Sequence, residues 1–152
     1  MNQINIFLMI KYQLITPESI WTTPSADGFV PLLPSGCSFI DVLAEKIRRT
    51  GSASARFYAG YMGVDYQSFL NTVQTLTGSM PVQWIDRLVM MDAEWLLLNT
   101  MLKVSEIARR KGFASCSNFS RAWRLRYHKS PEQYRKDNRR VVTRLVHDIK
   151  FS

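Results

Sequence analysis

Histidine and cysteine are scarce in this chain, two of each in 152 residues, and their scarcity removes whole classes of chemistry. Cys37 and Cys116 stand far apart in no metal-binding or redox spacing, so both are expected as reduced thiols in a cytoplasmic protein. His128 and His147 neighbour no cluster of potential ligands. A glycine-rich loop able to cradle phosphate is also lacking, as is any nucleophile with a base nearby in sequence. The expectation is therefore no enzyme, no metal and no cofactor. Long apolar runs are missing too. The stretch from Ile4 to Ile10 is far too short to span a bilayer and has neither a preceding positive region nor a small-residue cleavage site. Neither membrane insertion nor export is indicated.

Proline is rare after the first quarter of the chain. Pro17, Pro24, Pro31 and Pro34 fall within residues 1–36, and only Pro81 and Pro131 follow. The early segment has no helical period and reads as an extended arm, with one short strand at Ile4–Ile10. It is too short for an ordinary ligand-binding domain. Trp21 and Phe29 are expected to anchor it on the rest of the molecule, with a partner or self-association contact as the functional alternative. Chain length allows one domain, or two very small lobes sharing a linker.

What the chain does have is positive charge, and it is unevenly placed. The formal net charge is +8. Residues 1–45 carry one basic and four acidic side chains, residues 46–99 five and four, and residues 100–152 fourteen and four. A field so concentrated attracts polyanions and speeds encounter with them. The plain alternative is a solvated basic face.

It also has an internal repeat. Ala59, Gly63, Phe69, Val73 and Pro81 are echoed by Ala108, Gly112, Phe119, Trp123 and Pro131. The offset grows by one residue between the Gly and Phe positions, where a turn can absorb it. Each copy reads as helix, Gly-containing turn, helix, the arrangement with which helix-turn-helix proteins reach into DNA.

Helical periodicity begins at Ser38. Phe39, Val42, Leu43 and Ile47 suggest a first amphipathic helix ending near Gly51, after Arg48 and Arg49. Ser54 can cap a second, with Ala55, Tyr58, Ala59 and Met62 inward. Gly63 suits a left-handed turn and Asp65 the next cap. Phe69, Val73 and Leu76 then mark a buried face up to Gly78. Pro81 suits the first turn of a long helix to Asn99, with Trp84, Ile85, Leu88, Ala93, Leu96 and Leu97 inward. Such a helix is roughly 28 Å long, enough to hold two reading heads about 34–36 Å apart between centres. The second copy starts near Val104, turns at Gly112-Phe113 and is capped again by Ser115. Phe119, Ala122, Trp123 and Tyr127 form its buried side, so Trp123 is core rather than a base-stacking platform. Ser117, Ser120, Arg121 and Arg124 form a polar, cationic stripe on the opposite side. Pro131, Tyr134 and Arg135 open a last helix, which Val141–Phe151 extends or follows.

These residues resemble a known family. Glu106-Ile107-Ala108-Arg109-Arg110-Lys111-Gly112-Phe113, then Ser117, Phe119-Ser120-Arg121, Ser130-Pro131 and Tyr134-Arg135 look like the signature of AraC/XylS-type transcription regulators. The first copy carries a thinner match in Ala59, Gly63, Phe69, Gly78, Pro81, Ala93 and Leu96-Leu97. The resemblance covers roughly residues 38–136. It implies an all-α fold of two helix-turn-helix lobes joined by a long helix, both recognition helices facing one side of the DNA. The expected division is an irregular arm over 1–37, a DNA-binding domain over 38–140, and a helical extension or tail over 141–152. Within the domain the first lobe spans about 38–80, the linker helix about 81–99 and the second lobe about 103–140.

The resemblance further implies a sequence-specific, double-stranded-DNA-binding transcription regulator that inserts two recognition helices into neighbouring major grooves. Recognition positions carried over are Cys116, Ser117, Asn118, Ser120 and Arg121 in the second lobe, and Tyr66, Gln67, Leu70 and Asn71 in the first. The outward stripes add Arg124 and Gln74. RNA polymerase or another protein is a candidate further partner, no membrane is expected, and a monomer is compatible with the reading. Asn71 stands where the family commonly has Arg, and no residue from Tyr66 to Leu76 is charged. His128 replaces a frequent Gly, and Val89 a common basic residue. A sensor domain is not visible, so the chain resembles the small stand-alone members.

Rival readings rest on particular residues. The basic tail from Arg135 to Lys150 fits a module for a protein partner or an anionic surface. Arg109, Arg110 and Lys111 fit either phosphate contacts or solvated charge. Cys116 at a helix start fits a redox switch, or a passive small side chain near the groove. RNA is disfavoured by the lack of exposed aromatic platforms. With a neutral first lobe, the second lobe alone is also a candidate DNA reader.

Overall fold

The computed structural model describes residues 14–24 and 30–139. The strand expected at Ile4–Ile10, the anchor at Phe29 and the extension at Val141–Phe151 lie outside them. The helices are α1 Pro17–Ile20, α2 Ser38–Thr50, α3 Ala55–Tyr61, α4 Tyr66–Thr77, α5 Pro81–Asn99, α6 Val104–Arg110 and α7 Cys116–Tyr127. Residues 131–139 are helical as well, and no strand occurs among the described residues. The expected all-α architecture is what the chain adopts. No described helix is long and apolar enough to cross a membrane.

The repeat is structural. α3 and α6 are both seven residues long, and α4 and α7 both twelve. The extra residue of the second copy lies in the turn between its helices. Both turns use the same bonds: Val64 N–H donates to Ala59 O and Phe113 N–H to Ala108 O, at 3.2 and 3.0 Å. Gly63 and Gly112 take φ of 70° and 75° there, a region that side chains other than Asn or Asp rarely enter. The following helices start on matching caps. Asp65 accepts from Ser68 N–H and Ser115 from Asn118 N–H, each satisfying a backbone donor that the first turn leaves free. They also end alike, on left-handed Gly78 and His128, whose N–H groups close the last turn on Gln74 O and Arg124 O. His128 is the single described non-Gly residue at positive φ.

α5 divides its buried face between two cores. Trp84, Ile85, Leu88 and Val89 join α2, α3 and α4; Met90, Ala93, Leu96 and Leu97 join α6 and α7. Phe113 packs against both. Trp123 is fully buried, as its spacing from Phe119 required, with its ring centroid 4.1 Å from Tyr127 and 5.2 Å from Tyr134. The two tyrosine hydroxyls each donate to Glu94 at 2.9 Å. Burial, then Glu94, pushes the Tyr134 phenol up to about 12. This aromatic group seats residues 131–139 and α7 against the linker.

Three sequence expectations need correction. Val42 is 48% exposed. Leu43 and Ile47 are buried as expected and Phe39 packs partly buried against the same core, while Ile40 and Ala44 complete the buried face in place of Val42. The early segment is not wholly irregular either, since Thr16 caps the short helix α1 through Ser19 N–H. The expected anchoring by Trp21 is present. Ile15 N–H donates to Leu76 O and Trp84 Nε1 donates to Ile15 O. Glu18 pairs with Arg87, and Ile20 is 1% exposed. Burying one such side chain contributes about 1.5–3 kcal/mol, which adds to the hydrogen bonds and ion pair that hold the segment.

Below Trp21 lies a buried charge cluster. Asp92, inside α5, accepts from Trp21 Nε1 at 2.9 Å, Arg48 Nη2 at 2.8 Å, Arg48 Nε at 3.2 Å and Lys111 Nζ at 3.2 Å. Arg48 also donates to Thr22 Oγ1 and Val30 O, and Lys111 to Arg48 O. Lys111 is 7% exposed. Neither reading made of it from sequence, phosphate contact or solvated charge, fits that position. It is paired because an unpaired buried ammonium would cost several kcal/mol.

Candidate nucleic-acid interface

α7 presents its outer side to solvent because its apolar residues, Leu125 excepted, are spent on one side. Phe119 and Trp123 are buried, and Ala122 and Tyr127 pack against the same core. Ser117, Arg121 and Arg124, three or four residues apart, are exposed, and Ser120 is half-buried. An open groove of about 640 Å³ runs along this side, lined by Cys116, Ser117, Ser120, Arg121, Arg124, Leu125 and His128. Five of the six second-lobe candidates are thus brought together. Asn118 is exposed in the first turn but does not line the groove.

Many cations of this lobe are already engaged. Arg109 and Arg110 pair with Glu106 at 2.5 and 3.2 Å. Their hydrogen bonds hold the Glu106 carboxyl well below its usual range, at about 2, with Arg109 the larger cause. Arg126 reaches Asp86 at 3.5 Å and Lys129 reaches Asp137 at 2.7 Å. Arg135 caps the carbonyls of Leu97 and Leu102; Arg139 does the same for Leu97 and Thr100. By contrast, Arg121 and Arg124 have no ion pair or hydrogen bond among the described residues. Two unspent guanidinium groups on one open groove suit base edges and phosphates, which accept bidentate donors.

The first lobe repeats the geometry with different chemistry. Gln67, Asn71 and Gln74 are exposed on α4, while Tyr66 and Leu70 are half-buried. Gln67 Nε2 donates to Asn71 Oδ1 at 3.1 Å, holding the two amides side by side. Asn71 also edges a shallow depression with Thr72, Thr75 and Leu76, apart from the other first-lobe candidates. The outward side of α4 is neutral, but Arg56 lies over the Tyr66 ring at 4.1 Å.

Sequence reasoning missed Leu125, His128 and Arg56. Leu125 is 77% exposed at the groove and lies one turn after Arg121, so helical spacing could have found it. Arg56 is ten positions before Tyr66, and only the fold of the turn brings them together. Cys37 and Cys116 are free thiols, as expected.

A family model described as a helix-turn-helix domain matches residues 58–137, just over half the chain. The virulence regulon transcriptional activator VirF of Yersinia enterocolitica is 32% identical over 78 residues, covering 51% of this chain and 29% of that protein. The thermoregulatory protein LcrF of Yersinia pestis gives the same figures. This chain therefore spans under a third of the length of those regulators. Among solved structures, the DNA-binding domain of the global transcriptional factor AdpA, in complex with a target DNA, superposes with a TM-score of 0.58 at 25% identity. That match covers 67% of this chain and 90% of the domain. The C-terminal domain of AraT, a response regulator from Geobacillus stearothermophilus, gives a TM-score of 0.60 at 22% identity, over 68% and 88% of the two chains. With its paired lobes, long linker helix and second-copy signature, the chain belongs to the AraC-type helix-turn-helix family.

Proposed function

We propose that this chain is a sequence-specific, double-stranded-DNA-binding transcription regulator that sets α7 and α4 into neighbouring major grooves. The observation that carries the reading is that Arg121 and Arg124 lie on the open groove of α7 with no partner among the described residues, while Arg109, Arg110 and Arg126 pair with carboxylates. In this reading Arg121 reads a base edge, Arg124 neutralises a phosphate, and Cys116, Ser117, Asn118 and Ser120 make short polar contacts near the helix start. On α4, Gln67 and Asn71 read bases through amides, with Tyr66 and Gln74 beside them, and Arg56 supplies the charge that α4 lacks. Similarity to a domain solved on its target DNA supports this, as does similarity to transcriptional activators. The proposed setting is the cytoplasm, with RNA polymerase or another protein as a further partner. Catalysis forms no part of the reading.

A second reading, in which α7 alone contacts DNA, is favoured by the neutral surface of α4. Selection of bound sites from random duplexes, followed by footprinting, separates the two. Two protected neighbouring grooves support two reading lobes. One protected groove, unchanged by Gln67→Ala and Asn71→Ala, leaves the second lobe alone. Binding that is absent at low salt, or insensitive to salt, overturns both, because each neutralised phosphate should contribute about −0.9 to the log–log salt slope.

A further inference from the structure

The two lobes touch each other directly as well as through α5. Ser52 N–H, just past α2, donates to Lys111 O at 2.7 Å. Glycines sit on both sides of that seam. A Cβ on Gly51 would lie 2.2 Å from Lys111 O, and one on Gly112 would lie 2.4 Å from Thr50 O. Into the same seam Lys111 sends its ammonium group, to Asp92 and to Arg48 O. One carboxylate, 0% exposed, thus holds a cation from each lobe.

Burial makes this contact nearly all-or-none. Sliding one lobe on the other would draw Lys111 away from Asp92 and leave buried charge without its partner, a costly state. Two binding heads joined at a fixed separation favour a double site whose spacing matches and penalise others steeply. Heads joined flexibly tolerate a range of spacings.

We propose that Arg48, Asp92 and Lys111 are positioning residues that fix the separation of the two reading helices, so that the chain discriminates DNA by half-site spacing as well as by base sequence. The proposal rests on the reading that both lobes engage duplex DNA.

The test uses the full chain and the duplex obtained by site selection, rebuilt with one or two base pairs added or removed between the two protected grooves. A duplex keeping only the second-lobe half-site is the control. Wild type should lose about tenfold in affinity or more per base pair of altered spacing. Lys111→Met and Asp92→Asn should weaken binding at the selected spacing and flatten the spacing profile to within about threefold. Both should bind the control duplex within about twofold of wild type. Lys111→Arg, which keeps the charge, should restore spacing preference in part; a purely structural role for Lys111 would move stability without moving that profile. If Lys111→Met does not fold, Trp21→Phe removes a single donor to Asp92 and should flatten the profile to a smaller degree. Two protected grooves with a flat wild-type profile would overturn the proposal and leave two-lobe reading intact. So would a folded Lys111→Met with the wild-type profile. A single protected groove would overturn the two-lobe reading and this proposal with it.

Discussion

The two lobes share one frame and differ in what they hold out to a ligand. Their helices match in length, their turns use the same backbone bonds, and their second helices begin and end on the same devices. On α7 the outward residues include two arginines with no partner among the described residues; on α4 they are amides and hydroxyls. Frame and outward surface are therefore set by separate residues. Buried positions and turn glycines build the first, and solvent-facing positions, which cost the fold little, are left to determine the second.

The largest expected effect tests whether the lobes are one thermodynamic unit. Asp92→Ala would leave Arg48 and Lys111 buried without their carboxylate and should cost about 3–5 kcal/mol. It should do so in a single denaturant transition, measured by urea unfolding. Loss of one lobe's signal before the other's would mean the lobes fold separately.

Next comes the asymmetry in reading. Arg121→Ala should cost about 1–3 kcal/mol of affinity and relax preference at one base pair. Gln67→Ala should cost less, about 1 kcal/mol, while still altering preference. Equal losses in a binding titration would break the comparison. A finer measurement concerns charge alone. Arg124→Ala should weaken all sequences alike and reduce the salt slope by about one unit. If Arg56 serves the first lobe as Arg124 serves the second, Arg56→Ala should reduce it by a similar amount; an unchanged slope would leave α4 without a phosphate contact.

The smallest effect separates the caps. Hydrogen bonds from the Ser68 side chain and N–H hold the Asp65 carboxyl below its ordinary 3.8. A depressed folded pKa means that the cap stabilises above about pH 4 and fades as pH falls through the folded value. Ser115 has nothing to titrate in that range. Acid melts of Asp65→Ser should lose part of the wild-type stability change below about pH 4, and an unchanged acid profile would show that the carboxylate form adds nothing.

Much of this was legible in the sequence. Asp65, Ser115, Gly63, Gly112 and Gly78 mark helix ends through local backbone needs, and such needs are written in neighbouring residues. Phe69, Val73, Phe119 and Trp123 declare a buried face by spacing. The outward side of α7 followed as the remainder. Lys111 was not legible, because a lysine in a basic run reads as solvated and its partner Asp92 belongs to another helix. Arg56 over Tyr66 escaped for the same reason, being a contact made by a turn rather than by helical spacing. Val42 misled because an apolar residue at a plausible position carries no sign of which side of a 13-residue helix it occupies. The short helix α1 was hidden by proline, which reads as a breaker yet suits a first turn.

The two turn glycines answer to different constraints, and this bears on how such a protein can be recombined. Gly63 has only its backbone angle to satisfy, with nothing within 4 Å of a built Cβ. Gly112 must adopt nearly the same angle while pressed against Thr50 O and Ser52. A chimera carrying a second copy of the first lobe in place of the second would inherit a correct turn and still lack the seam. The expected outcome is that the outer residues of α4 and α7 tolerate exchange as interchangeable parts and the lobes themselves do not.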